Sequence, residues 1–220
     1  MEKPEITRND VKPLFESRFI KVFDLQYAPG KHYYDATRRS AEQLAAVKND
    51  ADFRKMLPDA VSCFVILDRE NEEPRLLLTK EFRYPTGRFL LSVPAGLIDP
   101  EDCAGEAPAL TAAAREIEEE TGIRLTPEDR LMLVNPLVFS TPGMTDESNA
   151  LACAVIHSAA AAHLTQEGAI GSECFNGFQP MTKAQALAVL KAGRDDEEIF
   201  YSVYTWMAMM FFVSELWKVW

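Results

Sequence analysis

The chain has 220 residues, of which 47% are hydrophobic and 26% are charged, a composition typical of globular proteins. Its formal net charge is -11 at pH 7, with a sequence pI of about 4.8. This acidic balance excludes a general affinity for the nucleic-acid backbone, which needs an excess of basic residues. It does not exclude a nucleotide as substrate, because a few arginines and a metal ion are sufficient locally.

The N-terminal part is predicted to be a small β unit. Residues 1–16 are polar and suggest a lead-in without regular structure. Alternating apolar positions predict a strand over 18–27, a turn at Ala28-Pro29-Gly30, and a second strand over 32–38 that completes a hairpin. Spaced apolar residues among charges favour a helix over 40–57, with a break near Asn49-Asp50. We assign residues 1–57 to this unit.

Residues 58–220 alternate predicted strands with predicted helices. The strands are expected at 61–67, 75–82, 89–93, 130–139, 149–157 and 174–179. A helix is expected over 182–192 with Thr182 as its N-cap, and the acids at 195–198 are expected to open the last helix. The pattern indicates an α/β or α+β fold, with a mixed sheet sandwiched by helices and preceded by the N-terminal β unit.

The spacing of the cysteines and the apolar segment near the C-terminus indicate the cellular compartment of the protein. Cys63, Cys103, Cys153 and Cys174 match no Cys-x-x-Cys metal pattern, and most of them lie in apolar segments typical of free core cysteines. No signal peptide is predicted from the first residues. Residues 200–213 are apolar but fall short of the roughly 20 residues of a spanning helix, which favours a buried helix or a dimer contact. We expect a cytoplasmic protein without membrane or nucleic-acid partners.

The most informative stretch runs from 111 to 123, where alanines are followed by four carboxylates and a glycine. On a helix, Glu116, Glu119 and Glu120 stand at i, i+3 and i+4 and share one face. Like charges at this spacing repel one another, and a divalent cation would remove that penalty. Hard oxygen ligands favour Mg²⁺ or Mn²⁺ over Zn²⁺. Gly122 is expected to end the helix.

Residues 115–123, Arg-Glu-Ile-Glu-Glu-Glu-Thr-Gly-Ile, match the second half of the Nudix box at every specified position. Gly96 resembles the glycine that opens the box, and three flanking motifs at 81–85, 94–99 and 142–147 occur in the expected order. The sequence therefore resembles the Nudix hydrolases, and within them the ADP-ribose and ADP-sugar pyrophosphatase group. The resemblance covers residues 18–215.

The first half of the box departs from the family pattern. The family places a Glu between the opening glycine and the arginine, but here Arg115 follows Gly96 with five residues more than the family spacing. The position that the spacing would give to the glutamate is Ala107. We assign the role to Glu106, because Gly105-Glu106 followed by Pro108 resembles the family's Gly-Glu-x-Pro, and Glu101 is the other candidate.

The resemblance implies roles for individual residues. It implies a Mg²⁺ site, with Mn²⁺ also suitable, formed by Glu116, Glu119, Glu120, Glu106 and the carbonyl of Ala95. It implies that Arg115 supports these ligands and that Glu173 is the general base, with Glu167 as reserve. The implied substrate contacts are Arg38, Arg83, Gly96, Pro142 and Gly143. Arg38 would reach across from the partner subunit of a homodimer formed through the N-terminal unit.

The implied reaction is Mg²⁺-dependent hydrolysis of the pyrophosphate bond of a nucleoside diphosphate sugar, with ADP-ribose giving AMP and ribose 5-phosphate. Alternative substrates are a GDP- or UDP-sugar, a dinucleotide or a nucleoside triphosphate, and a non-catalytic nucleotide sensor is a further alternative. Stacking on the base could come from Phe23, Tyr27, Tyr33 or Tyr34, and the sequence does not choose among them.

Overall fold

The computed structural model describes residues 4–169 and 171–220. By its internal contacts the chain divides into two units. The first contains the residues up to Asp59 together with Leu137–Asn149, and the second contains Ala60–Pro136 and Ala150–Trp220. The first unit therefore includes a segment distant in sequence from the N-terminal part.

The first unit contains an antiparallel sheet of three strands, in the order β1 (Val11–Glu16), β2 (Lys21–Ala28) and β3 (Lys31–Thr37). The predicted hairpin is β2 and β3, and Gly30 at its turn has a φ of 69°, a conformation that suits glycine. The lead-in predicted for 1–16 is wrong for β1. Its register shifts between Pro13 and Phe15, so the strand lacks the regular alternation by which strands are recognised.

The helix predicted over 40–57 is wrong. The segment forms a 3₁₀ turn at Ala45–Val47 and a single helical turn, α1 (Asp50–Phe53), which Asn49 caps by accepting two backbone N–H groups. Leu44 is fully buried, but Phe53 and Leu57 are exposed. One buried side chain can anchor a loop, whereas a long helix needs an apolar stripe over several turns.

The second unit is built on a seven-stranded sheet in the order β10-β5-β4-β9-β8, with β6 paired to β5 and β7 paired to β4. The strands are β4 (Ala60–Leu67), β5 (Arg75–Arg83), β6 (Arg88–Ser92), β7 (Ala95–Leu97), β8 (Arg130–Phe139), β9 (Ser148–Ile156) and β10 (Phe175–Thr182). Strand β5 pairs antiparallel with β4, β6 and β10.

Helices cover both faces of this sheet. Val61 and Cys63 of β4 share a buried cluster with Ile117 of α2 (Pro108–Thr121). The neighbouring Phe64 faces the other side, where its ring lies 5.8 Å from that of Phe211 in α4 (Val203–Val213). Because successive strand residues point to opposite faces, α2 and α4 lie on opposite sides of the sheet. The predicted α+β class with a sandwiched sheet is confirmed.

The helices near the C-terminus begin at capping residues. Thr182 caps α3 (Lys183–Ala192), as predicted, and its hydroxyl accepts the N–H of Gln185. The last helix does not open at 195–198 as predicted, because Asp195 instead accepts the N–H groups of two residues in a turn. Ser202 is the N-cap of α4. In the part of the chain that the structure describes, no helix is both long and apolar enough to cross a membrane.

Candidate active site

Helix α2 carries the predicted carboxylate face. Pro108 occupies its first turn and Gly122 ends it in the left-handed conformation with a φ of 73°, so both ends match their sequence signals. Glu116 and Glu120 are buried, with only 4% and 2% of their surface exposed, and Glu119 is half-buried. The burial of two carboxylates on a helix is energetically unfavourable unless partners compensate for it.

Arg115 is the principal partner. Its guanidinium donates hydrogen bonds to Glu116 at 2.7 Å, to Glu119 at 3.2 Å and to Asp102 at 3.0 Å. It also donates to the backbone carbonyl of Leu97 at 2.9 Å. A planar guanidinium with several donors fixes the orientation of the groups it contacts. Arg115 therefore contacts two of the three α2 carboxylates among the predicted metal ligands.

Between Gly96 and Arg115, Asp102 and Asp99 contact the Arg115 guanidinium at 3.0 and 3.5 Å. Asp102 begins a 3₁₀ turn, is buried, and also accepts the N–H of Asp99 at 2.9 Å. Burial raises the pKa of Asp102, but the hydrogen bonds from Arg115 and Asp99 outweigh burial and leave the pKa below its ordinary value. Glu106 is exposed. Asp102 thus pairs with Arg115, a contact that the sequence did not predict, and the spacing Asp99-x-x-Asp102, typical of a capped turn, was the available signal. The metal ligation predicted for Glu106 stays a prediction.

Strand β7 provides the opposite wall of the site. The N–H of Ala95 donates to the Glu120 carboxylate at 3.2 Å. A Cβ atom at Gly96 would overlap the carboxylate of Glu116, so a larger residue at this position would force that carboxylate to move. Gly96 thus leaves the space that the Glu116 carboxylate occupies, and the neighbouring backbone of Ala95 lies beside Glu120. The substrate contact predicted for Gly96 stays a prediction.

The electrostatics of the buried carboxylates is unfavourable. Burial raises the pKa of Glu116 to about 7, although Arg115 opposes the shift. Burial also raises the pKa of Glu120 to about 9, reinforced by the charges of Glu81, Glu116 and Glu173, with the Ala95 N–H opposing it. Among the described residues, Oε2 of Glu120 is buried without a hydrogen-bond partner. Such an oxygen is costly in a protein interior unless a ligand satisfies it.

These residues fit a hard divalent cation by their donor chemistry. Carboxylate oxygens and a backbone carbonyl are the ligands that Mg²⁺ and Mn²⁺ prefer, and the buried oxygen of Glu120 lacks a partner among the described residues. Within 4–169 and 171–220, no three His, Cys, Asp or Glu side chains already converge as metal ligands. Glu116 and Glu119 instead point to Arg115, so their side chains would have to turn to bind a cation.

Two other predicted site residues lie beside this cluster, together with one that the sequence did not single out. The exposed Glu173 is close enough for its charge to raise the pKa of Glu116 and Glu120. Arg83 forms an ion pair of 2.6 Å with Glu81, which is buried with 8% exposure. Glu81 and Arg83 are two residues apart on β5, a spacing that places side chains on the same face. This spacing was the signal that could have identified Glu81.

The remaining predicted contacts lie in the first unit. Arg38 is 45% exposed and pairs with Glu147 at 2.9 Å. The carbonyl of Gly143 accepts the hydroxyl of Tyr33 at 2.8 Å. Pro142 lines a mainly apolar pocket of about 280 Å³, whose other lining residues include Tyr33, Tyr34, Phe53, Phe139 and Met144. Of the four aromatic residues considered for base stacking, Tyr33 and Tyr34 line this pocket, whereas Phe23 is buried in the small core.

The neighbouring Arg39 forms the buried arginine network of the first unit. It contacts Asp59 at 2.7 Å, Asp146 at 3.3 Å and the hydroxyl of Ser148 at 3.1 Å. Arg39 is 9% exposed, in contrast to Arg38. The two adjacent arginines therefore differ in environment, and Arg38 is the one whose side chain is available to a ligand.

Comparison with known proteins identifies the family of this chain. The NUDIX domain profile matches residues 56–199, more than half of the chain. The chain belongs to the NUDIX domain family. It is 38% identical over 88 residues to an ADP-sugar pyrophosphatase from Mus musculus, covering 40% of this chain and 36% of that protein. It is 38% identical over 89 residues to an ADP-ribose pyrophosphatase from Saccharomyces cerevisiae, covering 40% and 35%. The matched segments thus span about a third of the length of these Nudix relatives.

The fold has a counterpart among solved structures. A crystal structure of an ADP compounds hydrolase superposes with a TM-score of 0.55 and 19% sequence identity, over 100% of this chain and 96% of that chain. At this identity the similarity establishes the Nudix-type fold and not the substrate. The half-box at 115–123 begins within α2, which carries Arg115, Glu116, Glu119 and Glu120.

Proposed function

We propose that this Nudix protein hydrolyses the pyrophosphate bond of a nucleoside diphosphate sugar in a Mg²⁺-dependent reaction, with ADP-ribose giving AMP and ribose 5-phosphate. The observation that carries the proposal is the buried carboxylate pair Glu116 and Glu120, of which Glu120 has one oxygen without a partner among the described residues. The relatives described as ADP-sugar and ADP-ribose pyrophosphatases support the substrate class.

Glu116, Glu119, Glu120 and the carbonyl of Ala95 would hold the Mg²⁺, for which Mn²⁺ could substitute. When bound, the metal neutralises the charge of the diphosphate and lowers the pKa of a water molecule. Arg115 would hold Glu116 and Glu119 close to the site without metal, through hydrogen bonds of 2.7 and 3.2 Å, and both carboxylates would turn from it to bind the cation. Asp102 in turn fixes Arg115.

Glu173 is proposed as the general base that accepts a proton from the attacking water. Its support is its exposure to solvent together with its electrostatic influence on Glu116 and Glu120. Glu173→Gln should lower kcat by about 100-fold or more, since general-base catalysis contributes on that order. An undiminished kcat would transfer the role to Glu167, for which Glu167→Gln is the parallel variant. Arg83 is proposed to contact the diphosphate, and Pro142 and Gly143 the remainder of the substrate.

The N-terminal sheet is proposed to form a homodimer, with Arg38 contacting the substrate of the partner subunit. Large apolar side chains on this sheet support the proposal, because Leu14 is 57% exposed and Phe15 54% exposed. Sedimentation or gel filtration at the monomer mass would contradict it, and Phe15→Glu should shift a dimer towards monomer. We further propose a cytoplasmic location, consistent with free cysteines at 63, 103, 153 and 174.

The decisive experiment measures AMP release from ADP-ribose with Mg²⁺ and with a chelator in its place. Turnover should require the metal. A panel containing GDP- and UDP-sugars, dinucleotides and nucleoside triphosphates tests the substrate class. If any of these compounds is hydrolysed faster than ADP-ribose, that compound becomes the proposed substrate. Failure to hydrolyse every compound of the panel, with nucleotide binding retained, would favour a sensor over an enzyme.

A further inference from the structure

Glu81 is a buried carboxylate to which the proposed reaction gives no role. It is 8% exposed, it lies on β5, and its Oε2 is 2.6 Å from a guanidinium nitrogen of Arg83. The hydroxyl of Ser92, on the neighbouring strand β6, donates a second hydrogen bond to it. A carboxylate in a protein interior is retained only where such partners compensate for lost hydration.

Leu77 of β5 packs in the buried cluster that includes Ile117 of α2. Glu81 and Arg83, at even spacing from Leu77, lie on the same side of the strand. The pair therefore lies on the side of β5 that faces the helix of the Nudix carboxylates. The charge of Glu81 raises the pKa of Glu120, and the charge of Glu173 raises that of Glu81. The adjacent Lys80 has different partners, the acids of the turn near Asp195. Because neighbouring strand residues point to opposite faces, the different partners of Lys80 agree with this placement of Glu81.

We propose that Glu81 is a positioning residue for Arg83, holding its guanidinium beside the Nudix carboxylates so that its other N–H groups are directed at the substrate's diphosphate. The inference rests on the proposed function, in which Arg83 contacts the diphosphate. A guanidinium has five N–H donors, so an ion pair with one carboxylate oxygen leaves donors for phosphate oxygens. Planar, paired donors suit phosphate recognition.

The physical reason is the freedom of the arginine side chain. Arg83 is 45% exposed, so without a partner its long side chain would sample many rotamers in solvent. A ligand that binds such a side chain must order it first, which weakens binding, whereas a side chain held in advance avoids that loss. Arg83 contacts the diphosphate before and during the reaction, so its positioning affects KM more than kcat.

The test is a double-mutant cycle of Glu81→Ala and Arg83→Ala, with ADP-ribose hydrolysis and metal binding measured on each protein. Each single variant should raise KM by about 10-fold while kcat stays within about threefold. The double variant should be no worse than Arg83→Ala alone, because Glu81 acts through Arg83. Glu81→Gln keeps an oxygen that can accept hydrogen bonds from Arg83 and Ser92. Its KM should therefore lie close to the wild-type value.

Metal binding distinguishes positioning from direct ligation of the metal. The Kd for Mn²⁺, measured without substrate by calorimetry or by electron paramagnetic resonance, should be the same in Glu81→Ala, Glu81→Gln and wild type. A weaker Kd in both variants would make Glu81 a metal ligand and overturn the proposal. Additive effects of the two substitutions on KM would overturn it as well.

A matched ion pair serves as the control. Arg69 and Glu72 also pair at 2.6 Å, in the turn between β4 and β5. Alanine at either position should leave KM unchanged. If Glu81→Ala fails to give a folded protein by circular dichroism, the cycle is completed with Glu81→Met, which fills the buried space without an acceptor and whose effect on KM must vanish in the Arg83→Ala background. A wild type without turnover would defeat the proposed function, whereas an active wild type with an additive cycle would defeat only the role of Glu81.

Discussion

Each unit of the chain contains an arginine that forms ion pairs with more than one carboxylate. In the first unit Arg39 contacts Asp59 at 2.7 Å and Asp146 at 3.3 Å. In the second, Arg115 contacts Asp102 at 3.0 Å and Glu116 at 2.7 Å. Both networks bury acidic groups in a protein interior, where unpaired charge is unfavourable. They differ in what else the acids contact.

The acids around Arg39 have donors from the protein itself. Asp59 accepts both the N–H and the hydroxyl of Ser148, and Asp146 accepts the hydroxyl of Thr37 and the N–H of Ala45. In the Arg115 region, by contrast, Oε2 of Glu120 is buried and has no partner among the described residues. The acids of the first network have protein donors, whereas the second leaves one buried carboxylate oxygen without a partner among the described residues. Burial of acids is therefore not in itself a sign of catalysis, and the unmatched oxygen is the informative difference.

Removal of the unmatched carboxylate should have the largest effect. Glu120→Gln should lower kcat by about 1,000-fold, equivalent to about 4 kcal/mol of activation free energy. The fold should persist, because the neutral amide avoids ionisation in a buried position. The free energy of unfolding in metal-free buffer should stay within about 1 kcal/mol of the wild-type value. The rise in Tm that Mg²⁺ causes in the wild type should be lost. Retention of that rise would show that Glu120 is not a ligand.

Removal of the arginine from the complete network should affect stability instead. Arg39→Met leaves the largely buried Asp59 and Asp146, with side chains 14% and 11% exposed, without their cation, which should cost about 3 kcal/mol of unfolding free energy. Urea denaturation followed by circular dichroism measures the loss. The neighbouring Arg38 is the matched control, because it is 45% exposed with one partner. Arg38→Met should cost less than about 1 kcal/mol, and equal losses for the two variants would contradict the distinction between the networks.

The pH dependence of stability should separate the metal-free and metal-bound states. The pKa values of Glu116 and Glu120 are raised to about 7 and about 9 by burial, so the folded protein holds more protons than the unfolded chain. Stability of the metal-free protein should therefore fall as pH rises from about 4.5 through 9, by up to about 1.4 kcal/mol per pH unit for each group. Burial also raises the pKa of Asp35 in the first unit, to about 6, so the change above pH 7 reports on the second unit.

The proposed Mg²⁺ would bind these carboxylates in their ionised form, so its stabilising effect should grow over the same pH range. Thermal unfolding with and without Mg²⁺ at pH 6 and pH 9 measures this growth, and Glu120→Gln should flatten it. A rise in Tm on metal binding that is the same at both pH values would contradict the assignment of these two carboxylates as ligands.

Local patterns in the sequence predicted the elements whose side chains follow one period. The strand expected over 61–67 is β4 (Ala60–Leu67), and the helix expected over 182–192 is α3 (Lys183–Ala192). The three box carboxylates were placed on one helical face from their spacing alone, because helix geometry fixes i, i+3 and i+4 neighbours. The helix expected over 40–57 failed, since its apolar residues are anchored singly and not along a stripe.

Contacts between secondary-structure elements could not be predicted from the sequence. Glu81 faces the Nudix carboxylates only because β5 pairs with β6 and β10 and presents that face to the site. Asp102 reaches Arg115 only through the turn formed by the inserted residues. Local spacing could single out Glu81 and Asp102, but their contacts with groups on or near α2 join elements distant in sequence. Hydrophobic periodicity could not predict those contacts. Three-dimensional packing decided both.

The smallest expected effect concerns the inserted turn and sharpens the role of Arg115. Asp102→Asn removes the charge paired with Arg115 but keeps the shape of the side chain, and it should weaken Mg²⁺ affinity by about 10-fold, as changes to residues behind metal ligands do. Glu106→Gln is the matched control, because Glu106 is exposed, and its Mg²⁺ affinity should stay within about twofold of wild type. Titration of each variant with Mg²⁺, followed by the rise in Tm, provides the measurement. The reverse order of effects would return the first glutamate of the box to Glu106 and reduce the hydrogen bond between Asp102 and Arg115 to a contact of the turn.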